Sequence, residues 1–207
     1  MRIGILGGTF NPIHFGHLRA AEEVRFKINL DKIIFMPSGN PPLKGANLIE
    51  ASHRYSMTKL ATDPNADFLV SDIEMRQAEK SYTVNTIAKL KEIYPDDELF
   101  FILGMDAFLD IPNWRHPDAL IGMADFIIVN RPGFDLSDIA KSPYAQHFDK
   151  ASRAWILKGG RKAVPLETTP IGISSTEIRR LLKDGKSIKY LLPDAVEKYI
   201  YGHKLYI

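Results

Sequence analysis

Two patterns of apolar residues alternate along the chain: short unbroken runs, and longer stretches with an apolar residue at every third or fourth position. Arg2 to Leu6 is a run of the first kind and predicts a buried strand, which a glycine loop follows. From His17 to Asn29, the residues Leu18, Ala21, Val24 and Ile28 share one stripe, which predicts a helix. Lys32 to Met36 predicts a second strand closed by Pro37, and Gly39, Asn40, Pro41 and Pro42 make Ser38 to Lys44 a loop. A helix around Arg54 to Thr62, a strand at Asp67 to Ser71 and a helix over Thr83 to Ile93 follow. Leu99 to Leu103 and Asp125 to Val129 are apolar without alternation, as strands are when helices cover both faces of a parallel sheet. Pro132 to Arg153 is the least regular stretch and reads as an excursion, while Ser174 to Lys183 and Pro193 to Tyr201 read as closing helices. Repeated strand–helix order predicts an α/β fold: a doubly wound parallel sheet with right-handed crossovers and closing C-terminal helices.

The length of 207 residues suits a single domain spanning the whole chain, and no linker, internal repeat or low-complexity run interrupts it. With 45% hydrophobic and 25% charged residues, the composition is that of a globular protein and argues against disorder. The absence of cysteine excludes disulfide scaffolds, thiolate-held zinc, iron–sulfur clusters and thiol nucleophiles. A net charge of +2, from 27 basic and 25 acidic residues, is too small an excess for a duplex-binding protein, so no nucleic-acid partner is expected. The opening residues Met1 to Gly8 carry too short an apolar run for a signal peptide, and nowhere do about 18 apolar residues run together. A cytoplasmic protein with no membrane partner is expected, and the sequence leaves a homo-oligomer open.

In such a sheet, ligands bind outside the carboxyl ends of the strands, so motifs just after strands carry the most weight. Gly7-Gly8-Thr9-Phe10-Asn11-Pro12-Ile13-His14-Phe15-Gly16-His17 follows the first strand and enters the first helix. Glycines there let backbone amides approach an anion, and the helix start attracts phosphate. The run matches neither the dinucleotide fingerprint nor the P-loop. A glycine pair alone is equally a plain tight turn, and two histidines alone are equally an exposed pair. Zinc would need further ligands, and no third histidine stands at useful spacing. Together, His14 and His17 can share a face and aim at one phosphate. A second run, Gly172-Ile173-Ser174-Ser175-Thr176-Glu177-Ile178-Arg179-Arg180, has capping-box spacing from Ser174 to Glu177. It also offers the hydroxyls of Ser175 and Thr176 at a helix start, with Arg179 one turn on to fork onto phosphate oxygens.

These two runs resemble the paired signatures of the nucleotidyltransferase superfamily that includes the nicotinamide- and nicotinate-mononucleotide adenylyltransferases, the first being related to the HIGH motif of class I aminoacyl-tRNA synthetases. The resemblance extends over essentially the whole chain. Ser81-Tyr82-Thr83, Gly104-Met105-Asp106 and Asn113-Trp114-Arg115 are similar to the pattern of the bacterial nicotinate-mononucleotide adenylyltransferases. The resemblance implies catalytic roles for His14, His17 and Arg179. It implies ATP contacts from Gly8, Thr9, Phe10, His17, Gly104, Asp106, Ile173, Ser175, Thr176 and Arg179. It implies acceptor contacts from Lys44, Thr83, Trp114 and Arg115, with the tryptophan stacked on the pyridine ring. Arg131 is a weaker candidate for phosphate. Two positions depart from the pattern: many relatives carry aspartate at the place of Asn11 and histidine at the place of Leu43, so no role resting on a carboxylate at position 11 transfers. His53, His116, His147 and His203 have no evident partners.

The implied reaction joins ATP and nicotinate mononucleotide to give deamido-NAD and pyrophosphate, a step in making NAD. Mg2+ would accompany ATP, held mostly by phosphate oxygens and water, with no protein-held metal. Nicotinamide mononucleotide or phosphopantetheine as acceptor, and a non-catalytic nucleotide-binding regulator, are the alternatives. Against phosphopantetheine stands the Gly104-to-Trp114 segment, and against the regulator stand His14, His17 and Arg179.

Overall fold

β1 (Arg2–Gly8) occupies the middle of a parallel sheet, between β2 (Lys32–Pro37) and β4 (Glu98–Gly104). The remaining strands are β3 (Phe68–Val70), β5 (Asp125–Val129), β6 (Ala145–Asp149), β7 (Ala154–Leu157) and β8 (Lys162–Leu166). The spatial order is β3-β2-β1-β4-β5-β8-β7-β6. Strands from β3 through β8 run parallel, and β7 and β6 are added antiparallel. The computed structural model describes residues 1–41, 48–77, 79–130 and 135–207.

Successive strand residues point to opposite faces, so each unbroken apolar run feeds two cores. Ile3, Ile5, Leu99, Phe101, Leu103, Phe126 and Ile128 belong to one core, which α3 (Thr83–Ile93), α4 (Met105–Asp110) and α5 (Pro117–Met123) cover. Ile33, Phe35, Phe100, Ile102, Ile127 and Val129 belong to the other, beneath α1 (Phe15–Ile28), α2 (Ala51–Thr62), α6 (Ser175–Lys183) and α7 (Asp194–Gly202). Gly4 marks the tightest point of that second face. A Cβ there would stand 2.6 Å from Ile33 Cδ1 and 2.9 Å from Ile102 Cδ1, so side chains of β2 and β4 pack over β1 where position 4 has no side chain. The doubly wound parallel sheet with closing C-terminal helices is therefore present.

The stretch expected to be an excursion contains structure instead. A 3-10 helix (Leu136–Lys141) leads into β6 and β7, and β8 then joins the parallel sheet beside β5. The run Lys162-Ala163-Val164-Pro165-Leu166 hides this strand, because an internal proline argues against a central strand. Pro165 is paired with Ile128 of β5 on one side, and on the other side β7 pairs with β8 only at Lys162 and Ala163, so no β7 partner needs the proline's missing N–H. The short helices α4 and α5, of 6 and 7 residues, fall below the length at which a helical stripe can be read. Two histidines without evident partners have them in the fold: His53 Nδ1 lies 3.0 Å from the Tyr199 hydroxyl, and the His203 ring stacks on Tyr199 at 4.0 Å. They join α2 to α7.

One buried carboxylate ties the far end of β8 back to α1. Glu23, 6% exposed, accepts the Thr169 amide at 3.1 Å, Lys27 Nζ at 3.0 Å and Arg19 Nε at 2.7 Å. The Thr169 hydrogen bond, then those of Lys27 and Arg19, hold its pKa at about 2 against an ordinary 4.5. Because the folded value is depressed, this stabilisation is complete above the ordinary value and is lost as pH falls from 4.5 toward 2. Glu23→Gln should therefore unfold more readily than the parent near neutral pH, with the difference shrinking through the acid range in urea titrations. A difference that stayed constant with pH would contradict this account.

Candidate active site

A cavity of about 870 Å3 opens at the carboxyl ends of β1 and β4. Here the strand order reverses, since the chain leaves β1 toward β2 and later returns to β4 on the other side, and crevices form at such switch points. Both motifs reach it. Gly8, Thr9, Phe10, His14 and His17 line one wall, and Ile173, Ser175 and Arg179 line another. Gly104 and Trp114 also line it. Asp106, Thr83, Arg115 and Thr176 stand off the wall. Lys44, Leu43 and Arg131 lie outside the described residues.

His14 is the residue before α1 and has extended backbone, so its ring is not on the helix but at its mouth. The two imidazoles stack at 3.7 Å with planes 28° apart. The His14 amide donates to His17 Nδ1 at 3.3 Å. A neutral imidazole that accepts through Nδ1 carries its proton on Nε2, so His17 presents Nε2–H as a donor. Phe10 supports this arrangement from below: its ring meets the His17 ring edge-on at 5.1 Å and contacts Phe35 at 5.8 Å. Its backbone has φ of 46°, a strained region for a bulky residue, and it is buried.

Strain at Phe10 persists because the loop around it is held from outside. Arg54 Nη1 donates to the Thr9 carbonyl at 2.8 Å, Arg179 Nη1 to the Asn11 carbonyl at 2.7 Å, and Ser175 Oγ to the Pro12 carbonyl at 2.8 Å. Carbonyls bound to these donors do not turn their negative ends toward an anion in the cavity. Arg54 is 1% exposed and also donates to the Gly39 carbonyl at 3.2 Å and the Ile49 carbonyl at 3.2 Å. Burial pushes its pKa down and that of the nearby Glu74 up, each away from its charged form's ordinary range. Thr86 Oγ1 donates to Glu74 at 2.6 Å. Gly39 is pressed so closely on this network that a Cβ would stand 2.2 Å from the Glu74 carbonyl oxygen. At the second motif, Ser174 Oγ accepts the Glu177 amide at 3.1 Å, but the Glu177 carboxylate turns to Arg180 at 2.6 Å, so only half of the capping box forms.

Across the cavity, the Trp114 indole donates to Asp110 Oδ2 at 3.0 Å, and Asn113 donates to Asp110 Oδ1 at 2.8 Å. One carboxylate thus fixes the indole plane. The Arg115 guanidinium lies 5.0 Å from the centre of the Tyr82 ring, a cation–π contact that draws the tryptophan loop to the start of α3, where Thr83 stands.

The cytidylyltransferase-like family model matches residues 5–181. Proteins from Geobacter sp. (strain M21) and Syntrophotalea carbinolica, each named "probable nicotinate-nucleotide adenylyltransferase", are 42% and 43% identical to this chain. The alignments cover 100% of it and 99% and 97% of those proteins. The chain belongs to the nicotinate-nucleotide adenylyltransferase family. A solved Plasmodium falciparum nicotinic acid mononucleotide adenylyltransferase, complexed with NaAD, shares the fold with a TM-score of 0.78 at 23% identity, over 99% of this chain and 97% of that one.

In this family member, the site includes residues that the sequence did not nominate. Arg54 was legible only as part of a helix, although it recurs with Met57 and Ala61 at three- and four-residue spacing on the buried stripe, where a cation is out of place. Asn130 and the segment 168–171 reach the cavity because β5 and β8 end there. Arg54→Met should cost about 1–3 kcal/mol in urea denaturation, since an apolar chain of similar length leaves the Thr9 and Gly39 carbonyls without a donor. Loss of less than about 0.5 kcal/mol would show that these bonds do not hold the loop.

Proposed function

We propose that this chain transfers the adenylyl group of ATP to nicotinate mononucleotide, giving deamido-NAD and pyrophosphate in NAD biosynthesis. The observation that carries this reading is the convergence of His14, His17 and Arg179 on one cavity at the β1 switch point. Full-length similarity to relatives named for that activity supports it. The acceptor's phosphate oxygen attacks the α-phosphorus of ATP in line, one P–O bond forms, and the bond to the departing pyrophosphate breaks. The attacking oxygen is already ionised, so no general base is needed, and the protein's work is positioning and charge stabilisation. His17 donates its Nε2–H to the transferring phosphate, His14 stands against the leaving group, and Arg179, Ser175 and Lys44 offset the triphosphate charge.

Backbone amides near Gly8, Thr9 and Phe10 receive phosphate, and Gly104, Asp106, Ile173 and Thr176 complete the ATP half of the site. Among the described residues no three His, Asp or Glu side chains converge on a metal-binding position, so Mg2+ in this reading arrives with ATP on phosphate oxygens and water. No helix among the described residues is long and apolar enough to cross a membrane, and we place the enzyme in the cytoplasm with its nucleotide substrates.

His17→Ala should lower turnover about a hundred- to a thousandfold in pyrophosphate-release assays while leaving the acceptor's KM nearly unchanged. A drop of less than about threefold would remove His17 from the reacting centre.

Acceptor choice follows from donor chemistry. Trp114 offers a face for the pyridine ring, and Arg115 and Thr83 flank it with the amides that follow Trp114. The Thr83 hydroxyl and those amides suit a carboxylate, whereas nicotinamide would turn an NH2 group toward one of these donors and leave both unpaired. The kcat/KM for nicotinate mononucleotide should exceed that for nicotinamide mononucleotide by at least about a hundredfold. Thr83→Val should narrow the ratio, and Trp114→Ala should weaken both acceptors alike. Equal use of the two acceptors would overturn the nicotinate assignment and leave adenylyl transfer intact.

A further inference from the structure

The last residues of the chain reach the first motif. Tyr206 donates its hydroxyl to Asn11 Oδ1 at 2.7 Å, across 195 residues of sequence. Reaching this point requires an unusual backbone: Lys204 and Tyr206 have φ of 51° and 65°, left-handed conformations that non-glycine residues rarely adopt. Between them Leu205 is 8% exposed, anchored in the core beneath α7. That anchoring is apolar and separate from the hydroxyl's hydrogen bond. Burial pushes the phenol's pKa up, against the opposing pull of Arg179 and Arg54, so the hydroxyl keeps its proton and remains a donor.

Asn11 is 7% exposed and is held from two directions. Its carbonyl accepts Arg179, and its side-chain oxygen accepts Tyr206. The main-chain bonds from Arg54, Arg179 and Ser175 fix the path of the loop, and the Tyr206 hydroxyl holds the Asn11 side-chain oxygen. Tyr206 lies outside the cavity wall, and its hydrogen bond to Asn11 is its link to the first motif.

We propose that Tyr206 is a positioning residue for adenylyl transfer, its hydroxyl holding Asn11, and with it the loop that leads to His14 and His17 and receives Arg179, in the reacting arrangement. This inference rests on the proposed reaction. Tyr206→Phe is the test, because it keeps the ring and its packing and removes one oxygen. We expect kcat to fall about tenfold while the KM values for ATP and acceptor stay within about twofold, a split that a merely structural loss would not produce. In an Asn11→Ala background, Tyr206→Phe should change kcat by less than about twofold, since the partner is already gone.

Ligand-free amide spectra give a readout independent of turnover. Tyr206→Phe should shift the backbone resonances of Thr9 and Phe10 and the Nε–H signal of Arg179. A kcat within about twofold of the parent, an equal loss in the Asn11→Ala background, or unmoved resonances would each overturn the inference. A parent protein that releases no pyrophosphate from ATP with any mononucleotide would instead overturn the proposed reaction, and the spectra would still decide whether Tyr206 sets the loop.

Discussion

The loop leaving β1 cannot satisfy its own carbonyls, and the site depends on how they are satisfied. Thr9, Asn11 and Pro12 each give their carbonyl oxygen to a side chain that is 45, 168 and 163 residues away, respectively. Buried main-chain acceptors need partners, and an anion-binding loop cannot afford to point them into its cavity. Side chains from α2 and α6 therefore supply the donors. The result is a strained but single conformation, with Phe10 in a left-handed backbone and two stacked imidazoles at the mouth of α1. Arg54 shows how much is invested in this: a cation 1% exposed, spread over three carbonyls, with Glu74 nearby.

The sheet supplies the frame against which those side chains can act. β1 is flanked on both sides by parallel strands, so its exit is fixed by two ladders, and the missing side chain of Gly4 leaves room for Ile33 and Ile102 of those strands. β8 extends the frame. Its carboxyl end delivers residues 168–175 to the cavity, and Glu23 on α1 fastens Thr169 in passing. Both signatures therefore sit at the ends of parallel strands, and the distance between them in the chain has no bearing on their distance in space.

Asn11 puts a neutral amide in this loop. It accepts from the Tyr206 phenol without competing for the Arg179 charge, which instead meets the loop at a main-chain carbonyl. A guanidinium bonded to a neutral oxygen keeps its net charge for an incoming phosphate, whereas a carboxylate partner would neutralise it. The same economy appears at Trp114, where Asp110 orients the indole from outside the cavity and brings no charge onto its wall.

Much of this was legible in the chain itself. Unbroken apolar runs specified buried parallel strands from β1 to β5 because a strand covered on both faces has no polar side to show. Histidines, hydroxyls and an arginine at helix starts pointed to phosphate, and the resemblance of the two signatures to those of the nucleotidyltransferases implied the reaction. What periodicity could not reveal were the elements that break its rules: α4 and α5 are too short to show a stripe, and β8 carries Pro165 beyond the last residue that β7 pairs. Nor could the sequence show Arg54 or Tyr206 at the site, for one reads as a helical residue and the other as a chain end. Their roles exist only through long-range hydrogen bonds to the β1–α1 loop. A one-dimensional pattern records which faces are apolar, and only the packed fold decides which distant donor meets a given carbonyl.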